Sequence, residues 1–262
     1  MPLKQRSAIS NIVIALLTFA IGTQCTVVAQ TPRPKTSRAV VTVPFIGCQA
    51  DGQAGPLDAP KGATKAVKIP AEAAQRLAYY KAEQGPGVLA PRGWYCFATY
   101  GSNGGSLFVS QYPIDAATLF SDTWKGFTGP VLQVSGEAGD TSGRFGVART
   151  IARVFPSHEA FVHKVIAEGL VSASLFQFGP YPKDKVIYKN KETVEYQTPA
   201  QTDGLGTQSR LQKNADPIRG VAILVGSTPD LVFLAARLPS DMNDLTPLII
   251  QQTESDATQP EN

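Results

Sequence analysis

The sequence predicts an α+β fold: a mainly antiparallel sheet with helices packed on one face or at the ends, crossed by one disulfide. Three observations predict it. Strand-like runs arrive in neighbouring pairs, helical patterns arrive in separate blocks, and two cysteines remain once an N-terminal export signal is set aside. The composition agrees with a packed domain. Hydrophobic residues are 43% and charged residues 17% of 262, too apolar and too sparsely charged for a disordered chain.

Taking the elements in order, residues 1–29 read as a signal peptide. Lys4 and Arg6 form a basic start, and Ile12–Ile21 is an uncharged apolar run too short to span a bilayer as a helix. Val27 and Ala29 supply the small residues before a cleavage point. An uncleaved anchor and a lipid-modified Cys25 are the competing readings. The second lacks the small residue before the cysteine, where Gln24 stands. Residues 30–37 are polar and carry prolines, and read as a flexible arm. Residues 38–253 then form a single α+β domain, and 254–262 a polar tail.

Within the domain, Arg38–Ile46 is β-branched and reads as a strand broken near Pro44. Residues 47–68 read as a long loop. Pro70 opens a helix on which Ala73, Leu77 and Tyr80 share a face, stopped by Gln84-Gly85-Pro86. Gly93–Tyr100 and Ser106–Tyr112 form a hairpin around a glycine-rich turn. A short helical stretch follows over 114–122 and a short strand over 130–135. A helix over 142–155 ends at Pro156, and a second, with Ser157 as its cap, runs to Glu168. Lys185–Asn190 and Glu192–Thr198 form a polar edge hairpin, and 199–217 a long loop. Gly220–Gly226 and Leu231–Leu238 are nearly all apolar and read as central strands covered on both faces. A last helix starts near Ser240 and ends about Gln252.

Removing the signal leaves 22 basic against 21 acidic residues, because Lys4 and Arg6 leave with it. A near-neutral chain offers no electrostatic case for nucleic acid, and no later segment is long and apolar enough to be an integral membrane segment. Cys48 and Cys96 are expected to form a disulfide in an oxidising compartment. The closed loop of about 48 residues would stabilise the fold by roughly 4 kcal/mol in the chain-entropy model. Export places the chain in the periplasm or outside the cell.

Motifs for chemistry are missing. His158 and His163 sit at i, i+5, about 140° apart around a helix, so one metal ion cannot bridge them and no metal site is expected. No nucleophile elbow, phosphate loop or cofactor fingerprint occurs, and no cofactor is expected. Paired carboxylates leave no fixed spacing, so Glu137, Asp140, Asp184, Glu192, Glu195 and Asp203 stay open as acids of a hydrolase acting on envelope polymers or sugars. The reading preferred over it is a non-catalytic exported domain that binds an envelope protein or a small ligand. Two acids converging in one deep pocket, one with a raised pKa, would separate the readings.

Loops carry contacts more often than cores, and two stand out: 179–184 and 201–216. Tyr181 supplies an aromatic wall, and Lys183, Arg210 and Lys213 supply cationic donors. These four are the candidate ligand-binding residues. The segments Val43–Cys48 (VPFIGC), Asp51–Pro56 (DGQAGP), Gly179–Asp184 (GPYPKD) and Gly204–Arg210 (GLGTQSR) resemble secreted bacterial proteins with no assigned activity. The resemblance implies secretion and carries over no catalytic residue.

Overall fold

The computed structural model describes residues 40–258. The readings of 1–29 as a signal and 30–37 as an arm, and the last residues of the tail, lie outside them. The described residues form two sheets. The strands are β1 (Val40–Cys48), β2 (Ala50–Gly52), β3 (Thr64–Lys68), β4 (Leu77–Ala82), β5 (Val88–Pro91), β6 (Tyr95–Gly101), β7 (Gly104–Ser110), β8 (Val131–Glu137), β9 (Lys185–Tyr188), β10 (Thr193–Thr198), β11 (Ile218–Val225) and β12 (Asp230–Arg237). The helices are α1 (Ala71–Arg76), α2 (Ala116–Leu119), α3 (Arg144–Val154), α4 (Glu159–Ala167) and α5 (Thr246–Ala257). The smaller sheet has the order β3-β1-β4-β5 and the larger β2-β6-β7-β8-β12-β11-β10-β9. Only β1–β4 and β2–β6 pair in parallel; the remaining ladders between these strands are antiparallel. The fold is α+β.

The larger sheet is covered on both faces. Strand alternation sends Leu132 and Val134 of β8, and Leu234 and Ala236 of β12, to a core shared with the smaller sheet and α5. Val131, Leu231, Phe233 and Ala235 go to a second core under α3 and α4. The near-continuous apolar runs of β11 and β12 follow from this: neither face meets water. Gly220 on β11 fits because a Cβ there would lie 1.8 Å from the Leu234 carbonyl oxygen and 2.7 Å from the Tyr196 hydroxyl. Tyr196 crosses the sheet at that gap and donates to the same carbonyl at 2.9 Å.

The disulfide joins Cys48, at the end of β1, to Cys96 on β6, with Cα atoms 5.5 Å apart. It therefore ties the smaller sheet to the larger. The hairpin at 93–112 forms as β6 and β7, with Gly101 opposite Gly104 around Ser102-Asn103. Gly104 has φ +129°, and a Cβ there would overlap the Gly136 carbonyl oxygen.

Several elements differ from the sequence reading. The helix expected from Pro70 ends at Arg76, and Leu77–Ala82 is a strand. Leu77 and Tyr80 are buried, as the helical stripe required, but so are Ala78, Tyr79 and Ala82. A strand buried on both faces satisfies any period, so the helical spacing carried no information there. The loop expected over 47–68 contains β2 and β3, and β5 was not expected at all. β1 runs on through Pro44, where its pairing passes from β3 to β4. α4 is preceded by a 3-10 turn over 156–158. Ser157 contacts the His158 ring at 3.0 Å and caps no backbone N–H there. α5 runs to Ala257, so residues 254–257 of the expected tail are helical. Among the described residues no helix is long and apolar enough to cross a membrane.

Candidate functional site

The two loops singled out in the sequence meet. Gly179 has φ +86° and donates to Ala152 at the end of α3. Arg153, on the last turn of α3, lies 4.0 Å over the Tyr181 ring and donates to the Gly179 carbonyl and to Gln177. The Tyr181 hydroxyl accepts from Gln208 at 3.1 Å. Asp184 Oδ2 accepts from the Leu205 backbone N–H at 2.7 Å, and Gly206 donates to Thr198 Oγ1 at 2.9 Å. These bonds close the 3-10 turn over 205–208 against β10. Burial raises the Asp184 pKa, opposed by the Leu205 N–H, the Thr198 hydroxyl and the Arg153 charge.

The candidate residues each have a separate neighbourhood. The Arg210 guanidinium lies 5.9 Å from the Trp124 ring centre, while its backbone N–H donates to Gln133 Oε1 at 2.7 Å. Lys213 pairs with Asp203 at 2.7 Å, and both are well exposed. Lys183 is exposed beside Asp184. Tyr181 reaches the second loop through Gln208, whereas Arg210, within that loop, is anchored by its backbone N–H to Gln133 of β8. The loop 201–216, read from sequence as a long loop, is ordered, with a backbone bridge between Phe127 and Leu211. Its polar groups mostly serve the fold.

Below α3 lies a small polar cavity of about 30 Å³, lined by Gln133, Ser135 and Glu137 of β8, Arg149 and Thr150 of α3, and Gln208. Gln133 donates to Ser135 at 2.9 Å, and Ser135 contacts Ser106 at 2.8 Å. Glu137 turns its carboxyl toward α3, where a Cβ on Gly146 would lie 1.9 Å from Oε2. That oxygen is buried without a hydrogen-bond partner. Burial raises the Glu137 pKa, with Arg149 drawing it back. The sequence reading left Glu137 among acids that look solvated. Its position two residues past Ser135, on the α3 side of β8, is what buries it.

A far larger feature went unseen in the sequence. A cleft of about 1100 Å³ opens between the two sheets, where the β4–β5 turn, the β6–β7 turn, the end of β8, the start of β12 and the end of α5 converge. Gly85, Gly101, Gly104, Gly105 and Gly136 expose backbone along it. Phe45, Tyr79 and Tyr100 supply aromatic surface. Its charged lining residues are Lys65, Lys81, Glu83, Glu137, Asp230 and Asp256, of which four are matched within the protein; Glu83 is exposed, and Glu137 lines the cleft as well as the small cavity. Asp256 accepts from Tyr79 at 3.0 Å and from Gln252 at 2.9 Å, and lies 3.7 Å from Lys65. Lys81 donates to the Gly85 carbonyl at 2.6 Å. Asp230 accepts from the Gly139 N–H at 2.8 Å. The only sequence signal was a scatter of turn glycines, and nothing local says that turns distant along the chain share one cleft.

His158 is half-buried against Phe155, and His163 is exposed and stacked on Phe178 at 5.5 Å. Among the described residues no three His, Cys, Asp or Glu side chains cluster so as to hold a metal ion. Comparison of the chain with protein-family models, with curated proteins and with solved structures finds no match in any of the three.

Proposed function

We propose that this protein is an exported, non-catalytic domain of the periplasm or extracellular space that binds an uncharged polar ligand in the cleft between its two sheets. The observation that carries this reading is the cleft itself. Its volume of about 1100 Å³ is at the upper end for small-molecule sites. Exposed glycine backbone and aromatic rings suit hydrogen bonding and stacking by a saccharide or a short neutral peptide. Asp256, Lys65, Lys81 and Asp230 already have partners inside the protein, so a charged ligand would have to displace existing bonds. Export is supported by the short apolar N-terminal run and is compatible with the Cys48–Cys96 disulfide.

The carboxylate-hydrolase reading draws on Glu137, whose pKa is raised. It is second because that carboxyl turns to α3 while Asp230 and Asp256 serve as structural acceptors. Saturation-transfer NMR with neutral oligosaccharides and neutral short peptides tests the proposal. One of the two classes should give transfer signals, and Gly136→Trp should abolish them while the fold is kept. Gly136 lies in the same cross-strand row as Tyr100, on the cleft side of the sheet, and a Cβ there meets only the Pro86 ring, at 3.3 Å, so the indole enters the cleft. No binding by either class would overturn the proposal. Cleavage products appearing during the titration would favour the hydrolase.

A further inference from the structure

Among the described residues β9 is the outer strand of the larger sheet, paired with β10 on one side. The backbone N–H of Lys189 donates inward to Thr193, in the register that continues the β9–β10 ladder. By the alternation of an antiparallel pair, the N–H and C=O groups of Val186 and Tyr188 therefore point outward. Two large apolar side chains stand on this open edge, Ile187 at 59% and Tyr188 at 52% exposure. Lysines surround them. Lys183, Lys185 and Lys191 are exposed, while Lys189 is matched by Glu195 at 2.7 Å. Of the nearby acids, Asp184 turns inward to the Leu205 N–H and Glu192 stays exposed on the turn.

Lysine on an edge strand is a common guard against sheet-to-sheet aggregation. A guard needs no exposed isoleucine and tyrosine between the lysines. A second copy of this chain is a poor occupant, because an antiparallel β9–β9 contact would bring the flanking lysines of both copies together. We propose that β9 is a docking edge for an extended, acidic segment of a partner protein, which adds as a further strand. Its backbone would bond to Val186 and Tyr188, its acids would meet Lys185 and Lys191, and its apolar residues, on the opposite face, would cover Tyr188 beside Val186.

The test uses the exported chain and a labelled peptide alternating glutamate and valine, with an alternating lysine–valine peptide as control. The acidic peptide alone should bind, and should shift the amide resonances of Val186 and Tyr188. Raising salt from about 0.05 M to about 0.5 M should weaken binding severalfold, because the contacts are solvent-exposed charges. The double variant Lys185→Glu, Lys191→Glu should lose about tenfold or more in affinity. Tyr188→Pro removes an outward N–H and leaves the bonds to β10 in place, so it should also weaken binding at an unchanged melting temperature. Should that variant fail to fold, the charge-reversal pair decides alone. Failure of the acidic peptide to bind, equal binding of both peptides, or self-association of the chain through β9 would each overturn the proposal.

Discussion

The two sheets are held together in different ways. Two of the three ladders of the smaller sheet join segments remote in sequence: Phe45 pairs in parallel with Tyr79, and Val41 antiparallel with Val67. Most of the larger is built from hairpins, with β6 on β7, β9 on β10 and β11 on β12. Hairpins close short loops at small entropic cost, whereas parallel crossovers close long ones. Each region nevertheless relies on one device at its most remote contact. For the smaller sheet it is the Cys48–Cys96 bond to β6. For the larger it is Arg237, 1% exposed, which donates to the carbonyls of Phe127, Gly129 and Gln212. Those bonds tie the chain after α2 to the loop after β10. Burial lowers the Arg237 pKa, and the nearby Asp216 charge acts against that. A covalent link limits the unfolded chain, while a buried guanidinium organises the folded one, so the two devices should fail differently.

Removing the covalent link has the largest expected effect. Cys48→Ser with Cys96→Ser should cost about 4 kcal/mol. Hydrogen exchange should show β1, β3 and β4 losing protection before β11 and β12. Equal loss across both sheets would erase the distinction drawn between them. Arg237→Ala comes next, at about 2–4 kcal/mol, since it takes the donor from the part-buried carbonyls of Gly129 and Gln212 and opens a void. Its mark should be a changed Trp124 emission, because Trp124 packs on Phe127 at 5.0 Å.

Glu137→Gln should be the smallest of the three and opposite in sign. Burial raises this pKa, so the folded chain holds the proton more tightly than the unfolded chain does. The stability that proton contributes is complete below the ordinary glutamate range and is lost as pH rises through the raised value. Above the ordinary glutamate range the wild type therefore loses stability that the amide keeps, and Glu137→Gln should raise the melting temperature by a few degrees at neutral pH. The gain should shrink toward zero by about pH 4, where both forms are neutral. A gain independent of pH would show that charge is not its cause.

Legibility followed the same division. The hairpins 93–112 and 185–198, the covered strands at 220–238 and the helix over 142–155 were readable because their partners lie close in sequence or their period is unambiguous. Residues 77–82 were misread because burial on both faces removes the period that separates helix from strand. β2 and β3 were invisible. A three-residue strand has no pattern, and β3 places lysines at Lys65 and Lys68 around a single buried Val67. At the candidate site, the meeting of 179–184 with 201–216 was anticipated, but the partners of its cations were not. Asp203 and Trp124 are ordinary residues until the fold sets them beside Lys213 and Arg210.

Composition, turn residues and cysteine count were enough to determine the fold class and the pairing of Cys48 with Cys96, because propensity is local and two cysteines allow one bridge. Tertiary structure alone decided where the cleft opens, that one Glu137 carboxyl oxygen is buried, and that β9 is the outer strand among the described residues. These depend on which distant segments meet. That choice is made by burying apolar surface from the whole chain at once, and no window of neighbouring residues contains it.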